Sequence, residues 1–270
     1  MLEGQKCLVI GSGISGIGAV ALLEKYHADV VLYDSSDKLT KEDLEAKLPG
    51  ESKAVCIAGE LPEEVELSIQ AAVLSPGVPT DIPLVNRMRD RGVQILGEIE
   101  LGFLAEQGRV IAITGTNGKT TTTTLTGEIM KAHFGAEKTF VVGNIGNPYT
   151  LEVTKTSKDS VTVGEISSFQ LETIHTFHPV VSAILNITPD HLNRHHTMEA
   201  YVAAKEAGAS HQTKNDICVL NYDNDYTRDF AGRCPATPVL FSSHHELENG
   251  YFLRGDKIIK SVNGEETELM

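Results

Sequence analysis

The chain has 270 residues, enough for one large domain or two of ordinary size. Hydrophobic residues make up 41% and charged residues 22%, which excludes the disordered, collagenous and repeat classes. The net charge of −14 is the wrong sign for a broad nucleic-acid or anionic-membrane surface, so neither is expected as a partner and any anionic ligand has to be held locally. The four cysteines, Cys7, Cys56, Cys218 and Cys234, stand far apart with no Cys-x-x-Cys pair. That spacing suggests neither a zinc site nor a disulfide framework and fits a reducing, cytoplasmic setting.

In chain order, Lys6 to Ile10 is a short apolar run ending in glycines, Ile14 to Tyr26 has helical spacing, and Val30 to Tyr33 is a β-branched run ending at Asp34. Together they predict a βαβ unit. The charge-free stretch from Cys7 to Leu23 is broken by Gly11, Gly13, Gly16 and Gly18, which favours strand, turn and helix over a signal peptide or membrane span. Strands are expected at Ala71 to Leu74, before the turn Ser75-Pro76-Gly77, and at Val93 to Leu96, with a short helix from Glu98 to Leu104. A domain boundary is placed near 97 to 108. An apolar strand at Val110 to Ile113 then feeds a second glycine-rich turn and a helix from Lys119 to Phe134. Further strands are expected at Thr139 to Val142, Ser160 to Gly164, Val180 to Ile187 and Ile217 to Asn221, with helices at Gln170 to Thr176 and Met198 to Ala209. Short hairpin strands, Tyr251 to Leu253 and Lys257 to Val262, close the pattern. Such alternation implies an α/β fold with a mostly parallel sheet.

The first glycine turn, Gly11-Ser12-Gly13-Ile14-Ser15-Gly16, fits Gly-x-Gly-x-x-Gly between a strand and a helix, and Asp34 stands where a ribose-binding acid would be. Taken alone it suggests a dinucleotide and hence a dehydrogenase. Its physical content is narrower: the glycines let backbone amides approach a phosphate at the positive end of a helix, or merely allow tight helix-sheet packing. The second turn, Ile113-Thr114-Gly115-Thr116-Asn117-Gly118-Lys119-Thr120, is a shortened phosphate-cradling loop, because the strict pattern requires glycine at position 113. Gly115, Thr116, Asn117, Gly118, Lys119 and Thr120 are expected to bind ATP, with the Lys119 cation on the outer phosphates and the Thr120 hydroxyl on Mg²⁺. Most of the threonine run 121 to 124 is assigned to packing.

Downstream, Glu165 ends a strand at the carboxyl edge, a position suited equally to a metal ligand or to the start of a helix. The loop Asn186 to His196 holds several potential ligands. It lacks a paired cysteine or a His-x-x-x-His with a catalytic Glu, so zinc is disfavoured and His195 and His196 read as bystanders. Lys205, among small and apolar residues on a helix, reads by pattern alone as a surface lysine whose stem covers the core.

In combination these motifs resemble the Mur ligase family. The matching segments are Gly11 to Gly16, Ser75 to Gly77, Gly97 to Leu101, Thr114 to Thr120, Gly143 to Gly146, Glu165 to Glu172, Asn186 to Arg194 and Ala203 to Lys205, in family order across nearly the whole chain. The resemblance implies a Rossmann-like amino-terminal domain, residues 1–97, for a UDP-sugar, and a P-loop-type central ATPase domain, residues 98–270, incomplete here. A carboxy-terminal amino-acid-binding domain, with the hinge Gly-x-His-Asn-x-x-Asn before it, would follow Met270. It further implies a monomeric ligase of peptidoglycan precursor synthesis that uses ATP to join D-glutamate to UDP-N-acetylmuramoyl-L-alanine. Ile14, Ser15, Asp34 and Gly77 would then contact the uridine nucleotide, and Asn144, Ser167 and Gln170 the sugar-peptide end. Thr120 and Glu165 would hold one Mg²⁺, and His191 and Lys205 a second, Lys205 being N-carboxylated by CO₂; Lys119, Glu165, His191 and Lys205 would form the catalytic set. Asn193 and Ala207 to Ser210 depart from the family pattern without removing a ligand. Another Mur-type amide ligase and a non-catalytic nucleotide-binding fragment are the alternatives.

Overall fold

The computed structural model describes residues 2–270. The chain forms two compact units. The first takes the chain up to Gln107 and two later returns, Val142–Ser157 and Phe169–Phe177; the second comprises Gly108–Val141, Lys158–Ser168 and His178–Met270. This division differs from a single break after residue 97, because the helix that follows Gly97 and the two returns pack with the amino-terminal part.

The first unit alternates strand and helix: β1 (Lys6–Ile10), α1 (Ile14–Lys25), β2 (Asp29–Asp34), α2 (Lys41–Glu45), β3 (Val55–Ala58), α3 (Glu63–Ser68), β4 (Ala71–Leu74), α4 (Pro83–Asp90), β5 (Gln94–Gly97) and α5 (Glu98–Ala105). The five strands pair in parallel in the order β3-β2-β1-β4-β5. Strands β1 and β4 are buried almost throughout, as expected for central parallel strands covered on both faces. Leu8, Ile10, Val31, Ala72, Leu74, Val85 and Met88 form one continuous core cluster. Helix α2 begins with a capping box, in which Thr40 and Asp43 each receive the other's backbone N–H.

The second unit contains β6 (Arg109–Thr114), α6 (Lys119–Phe134) and β7 (Thr139–Gly143), whose last two residues already belong to the first unit together with α7 (Tyr149–Glu152). It continues with β8 (Val161–Glu165) and, past α8 (Ser168–Leu171), of which only Ser168 is its own, with β9 (Val181–Ile184), α9 (Leu192–His195), α10 (Met198–Glu206), β10 (Ile217–Asn221), α11 (Asp225–Ala231), β11 (Thr237–Ser242), β12 (Gly250–Arg254), β13 (Lys257–Val262) and β14 (Glu265–Glu268). The sheet order is β14-β13-β12-β11-β10-β9-β6-β8-β7. The pairs from β12 through to β8 are parallel, while β12, β13 and β14 form an antiparallel meander. Among the described residues no helix is long and apolar enough to cross a membrane.

Three expected elements come out shorter. The helix expected over 170–176 ends at Leu171, because the N–H groups of His175, Thr176 and Phe177 go to the Glu100 carboxylate at 2.9, 2.8 and 3.1 Å. The strand expected to reach Ile187 ends at Ile184, since the Asn186 carbonyl accepts from Thr116 N instead of extending the ladder. The helix expected to reach Ala209 ends at Glu206 and tightens into a single 3₁₀ turn over Ala207–Ala209. The threonine run is also placed differently: only Thr123 is fully buried, while Thr120, Thr121 and Thr124 are exposed.

Glu100 is itself 1% exposed and also accepts from Thr176 Oγ1. Removing this carboxylate takes the acceptor away from the N–H of buried Phe177 and from those of His175 and Thr176, and leaves a buried space in its place. Glu100→Ala is expected to lower the unfolding free energy by about 3 kcal/mol, read from the shift of a urea midpoint, with Glu100→Gln recovering part of the loss.

Candidate functional site

In each sheet the chain order reverses beside one strand. In the first unit β1 lies between β2 and β4; in the second β6 lies between β8 and β9. The carboxyl ends of such strands open a crevice where α/β proteins take ligands. Both glycine turns sit at these points.

After β1, Gly11 has φ +99°, and a Cβ on Gly16 would stand 1.9 Å from the Gly11 carbonyl oxygen, so the turn closes onto α1 only with glycine there. Helix α1 starts at Gly13 with no side-chain cap and no acid in its first turn, which leaves its amino end open to an anion. Ile14 is 67% exposed at this end and Ser15 is half-buried. Asp34 Oδ2 accepts from Ser12 N at 2.9 Å and Ser12 Oγ at 2.6 Å, and Oδ1 accepts from Ser36 N at 3.1 Å. Lys47 Nζ donates to Ser12 Oγ at 2.9 Å. Burial works against the Asp34 carboxylate, but the Ser12 and Ser36 bonds and the Lys47 charge outweigh it and lower its pKa. The turn holding the exposed Gly77 is fastened to the same place by Ser75 Oγ, which donates to the Gly11 carbonyl at 3.1 Å. Ile14, Ser15, Asp34 and Gly77 are thus brought together. Asn144, exposed in the turn after β7, and Gln170, buried in α8, also belong to the first unit, whereas Ser167 belongs to the second.

After β6, Gly115 and Gly118 have φ +153° and +81°, and Gly118 is the left-handed cap of α6, whose first turn carries no acid. Lys119 Nζ folds back over the loop to the carbonyls of Gly115 and Thr116, both at 3.0 Å. Lys205, 2% exposed, donates to the same Gly115 carbonyl at 2.9 Å. The lysine that helix pattern alone would leave in solvent is therefore buried against the phosphate loop. Burial first, and the Lys119 charge second, push its pKa down to about 7, with Asp190 opposing.

Glu165, 1% exposed, ends β8 opposite Ile113 of β6. Thr120 is exposed in the first turn of α6. A carboxylate and a hydroxyl are hard-oxygen donors of the kind that Mg²⁺ takes. His191 has φ +51° and is half exposed, its ring 3.5 Å from the Asp190 carboxylate.

Three residues outside the expected set hold the loop. Asn186 Oδ1 accepts from Asn117 N at 2.8 Å while its Nδ2 donates to the Asn117 carbonyl at 3.0 Å. Thr188 N donates to Thr116 Oγ1 at 3.0 Å, and Tyr201 Oη lies 3.1 Å from that same oxygen. His195, expected to be a bystander, is buried, with Nε2 2.9 Å from Ser168 Oγ. An Asn directly after a strand and a Tyr four residues before Lys205 were visible in the sequence, but no spacing rule ties either to a loop some 70 or 85 residues away.

Two glycine turns at the switch points of mostly parallel sheets, the second with two lysines on it, mark an α/β protein with a P-loop ATPase-type unit. The chain belongs to the Mur ligase family: residues 113–270 match the Mur ligase middle domain and residues 5–97 the amino-terminal domain of MurD-like Mur ligases. It is 54% identical over 256 residues to the UDP-N-acetylmuramoylalanine–D-glutamate ligase of Lachnoclostridium phytofermentans, covering 95% of this chain and 56% of that protein. It is 55% identical over 263 residues to the ligase of the same name from Lachnospira eligens, covering 97% and 58%. The chain thus spans somewhat over half the length of these relatives. Its fold resembles that of UDP-N-acetylmuramate:L-alanyl-γ-D-glutamyl-meso-diaminopimelate ligase from Neisseria meningitides, with a TM-score of 0.56 at 14% identity over 97% of this chain and 85% of that one. It also resembles UDP-N-acetylmuramate-alanine ligase from Thermotoga maritima, with a TM-score of 0.54 at 19% identity over 98% and 60%.

The depressed Lys205 pKa has a consequence for stability. In the unfolded chain the amine keeps its proton up to its ordinary value of 10.5, whereas in the folded chain it releases it at about 7. Between these values the unfolded state binds more protons, so the Lys205 contribution to stability rises with pH. Lys205→Met is expected to be the more stable chain at pH 6, with the two urea midpoints converging as the pH approaches 10.

Proposed function

We propose that the chain carries the nucleotide-sugar-binding and ATP-binding units of an enzyme that joins D-glutamate to UDP-N-acetylmuramoyl-L-alanine in peptidoglycan precursor synthesis. The observation that carries this reading is the convergence of Lys119 and Lys205 on the Gly115 carbonyl at the open end of α6. A dehydrogenase would have no use for that arrangement. The two D-glutamate ligases that are 54% and 55% identical support the choice of amino acid.

In this reading the first unit holds the uridine nucleotide at the amino end of α1, against Ile14, Ser15, Asp34 and Gly77, with Asn144, Ser167 and Gln170 assigned to the sugar-peptide end. The loop from Gly115 to Thr120 holds ATP. The carboxylate of the substrate's L-alanine attacks the γ-phosphate to give an acyl phosphate with ADP as leaving group, and the amine of D-glutamate then displaces phosphate and loses a proton to form the amide. Both partners of the first step are anions. Lys119 swings from its own loop carbonyls to the phosphates and offsets their repulsion. Thr120 and Glu165 would hold one Mg²⁺ and His191 and Lys205 a second, and the bound ions would supply charge neutralisation at the transferring phosphoryl group. With its pKa near 7 part of the Lys205 amine is neutral at that pH; the neutral form would add CO₂ with loss of a proton, and the carbamate would give an oxygen donor where an ammonium would repel a cation. The chain acts as a monomer in the cytoplasm, with these small molecules as its partners.

Calorimetry of the 270-residue chain with UDP-N-acetylmuramoyl-L-alanine and with Mg·ATP is expected to give one site for each. Failure to bind either nucleotide, or a nicotinamide-dependent absorbance change without ATP, would overturn the reading. Incubation with ¹³C-bicarbonate should give a carbamate resonance that Lys205→Ala lacks. In a preparation that turns over, Lys205→Ala should lose about a hundredfold or more in phosphate release and regain part of it with a small added carboxylate.

A further inference from the structure

Tyr201 belongs to α10, is 1% exposed, and no step described above uses it. Three contacts meet on its side chain. Its hydroxyl is 3.1 Å from Thr116 Oγ1 in the phosphate loop. Its ring face lies 4.6 Å beneath Lys205 Nζ. Its ring also packs against His195 at 5.1 Å, tilted by 46°, and His195 in turn holds Ser168, three residues beyond Glu165.

The direction of the hydroxyl bond follows from counting protons. Thr116 has one hydroxyl proton, and the Thr188 carbonyl at 3.2 Å can only accept it. Tyr201 is therefore the donor to Thr116, and Thr188 N is the second donor to the same oxygen. We propose that Tyr201 is a positioning residue for the nucleotide loop: its hydroxyl fixes Thr116 while its ring seats Lys205, so that the loop and the lysine are set in place by one side chain. The inference rests on reading residues 113–120 as a nucleotide loop, and it deepens that reading by naming what fixes the loop's first turn. A side chain placed only for packing would need no hydroxyl. Nor would it put that hydroxyl on the sole polar atom of Thr116's side chain.

The test uses the 270-residue chain, the probe Mg·ADP and two readouts. Tyr201→Phe keeps the ring and removes one donor, so it is expected to weaken Mg·ADP binding by about three- to tenfold, the worth of one hydrogen bond. Backbone hydrogen exchange, followed by mass spectrometry, should quicken in the peptide spanning 114–119 while that of β10 and the rest of α10 stays unchanged. Thr116→Val should show the same direction of change, and adding Tyr201→Phe to it should produce little further loss. Unchanged binding with unchanged loop exchange in Tyr201→Phe would overturn the proposal. So would exchange that rises evenly across α10 and β10 with a lowered melting temperature, since that is the mark of lost packing alone. If the unaltered chain bound no Mg·ADP, the nucleotide reading would fail, and the loop-exchange comparison would still decide whether Tyr201 holds the loop.

Discussion

One carbonyl oxygen, that of Gly115, accepts from two lysine amines, and the second unit is organised around that meeting. Lys119 arrives from the start of α6 and Lys205 from α10, 90 residues beyond Gly115. Placing two cations together at the amino end of a helix is unfavourable in itself, because the helix end already carries partial positive charge. Burial makes it more so for Lys205, and the fall of its pKa to about 7 records the strain. Loss of the Lys205 proton relieves it, leaving Lys119 as the loop's cation in a chain with a net charge of −14.

The scaffold uses one device twice. A parallel strand ends in glycines, the next helix begins without a side-chain cap, and neighbouring strands on both sides contribute the groups that finish the cradle. In the first unit the finishing groups are Asp34 at the end of β2 and Ser75 after β4. In the second they are Glu165 at the end of β8 and Asn186 after β9. The two cradles differ in their amines: at α1 a single lysine, Lys47, donates to Ser12, whereas at α6 two meet on the Gly115 carbonyl.

Strands and long helices were legible because their signals are local: apolar runs for β1, β4, β6 and β10, and the glycine-bounded stretch that became α6. Helix α2 could have been found from its Thr-x-x-Asp capping box, and α4 from the proline at its first position. Strand β11 was hidden by Pro238, which sits second in the strand, and the loop 172–177 took its shape from Glu100, a partner more than 70 residues away. The same limit governs the site. Gly115, Gly118 and Lys119 follow from spacing, whereas the burial of Lys205 and His195 and the clamp made by Asn186 and Tyr201 exist only once distant strands are side by side. Helix pattern gave Lys205 to solvent, and only the order of motifs along the chain pointed to the loop.

The bonds around Asp34 bear on which nucleotide the first unit can prefer. A carboxylate offers about four acceptor positions, and three of these are taken by Ser12 N, Ser12 Oγ and Ser36 N. One remains for an incoming sugar. Gripping both hydroxyls of a ribose, the contact by which a nicotinamide dinucleotide is commonly fastened, would require the acid to let go of its own loop. The fold therefore spends its acid on shaping the cradle, and whatever sugar enters must be recognised chiefly by other parts of its structure.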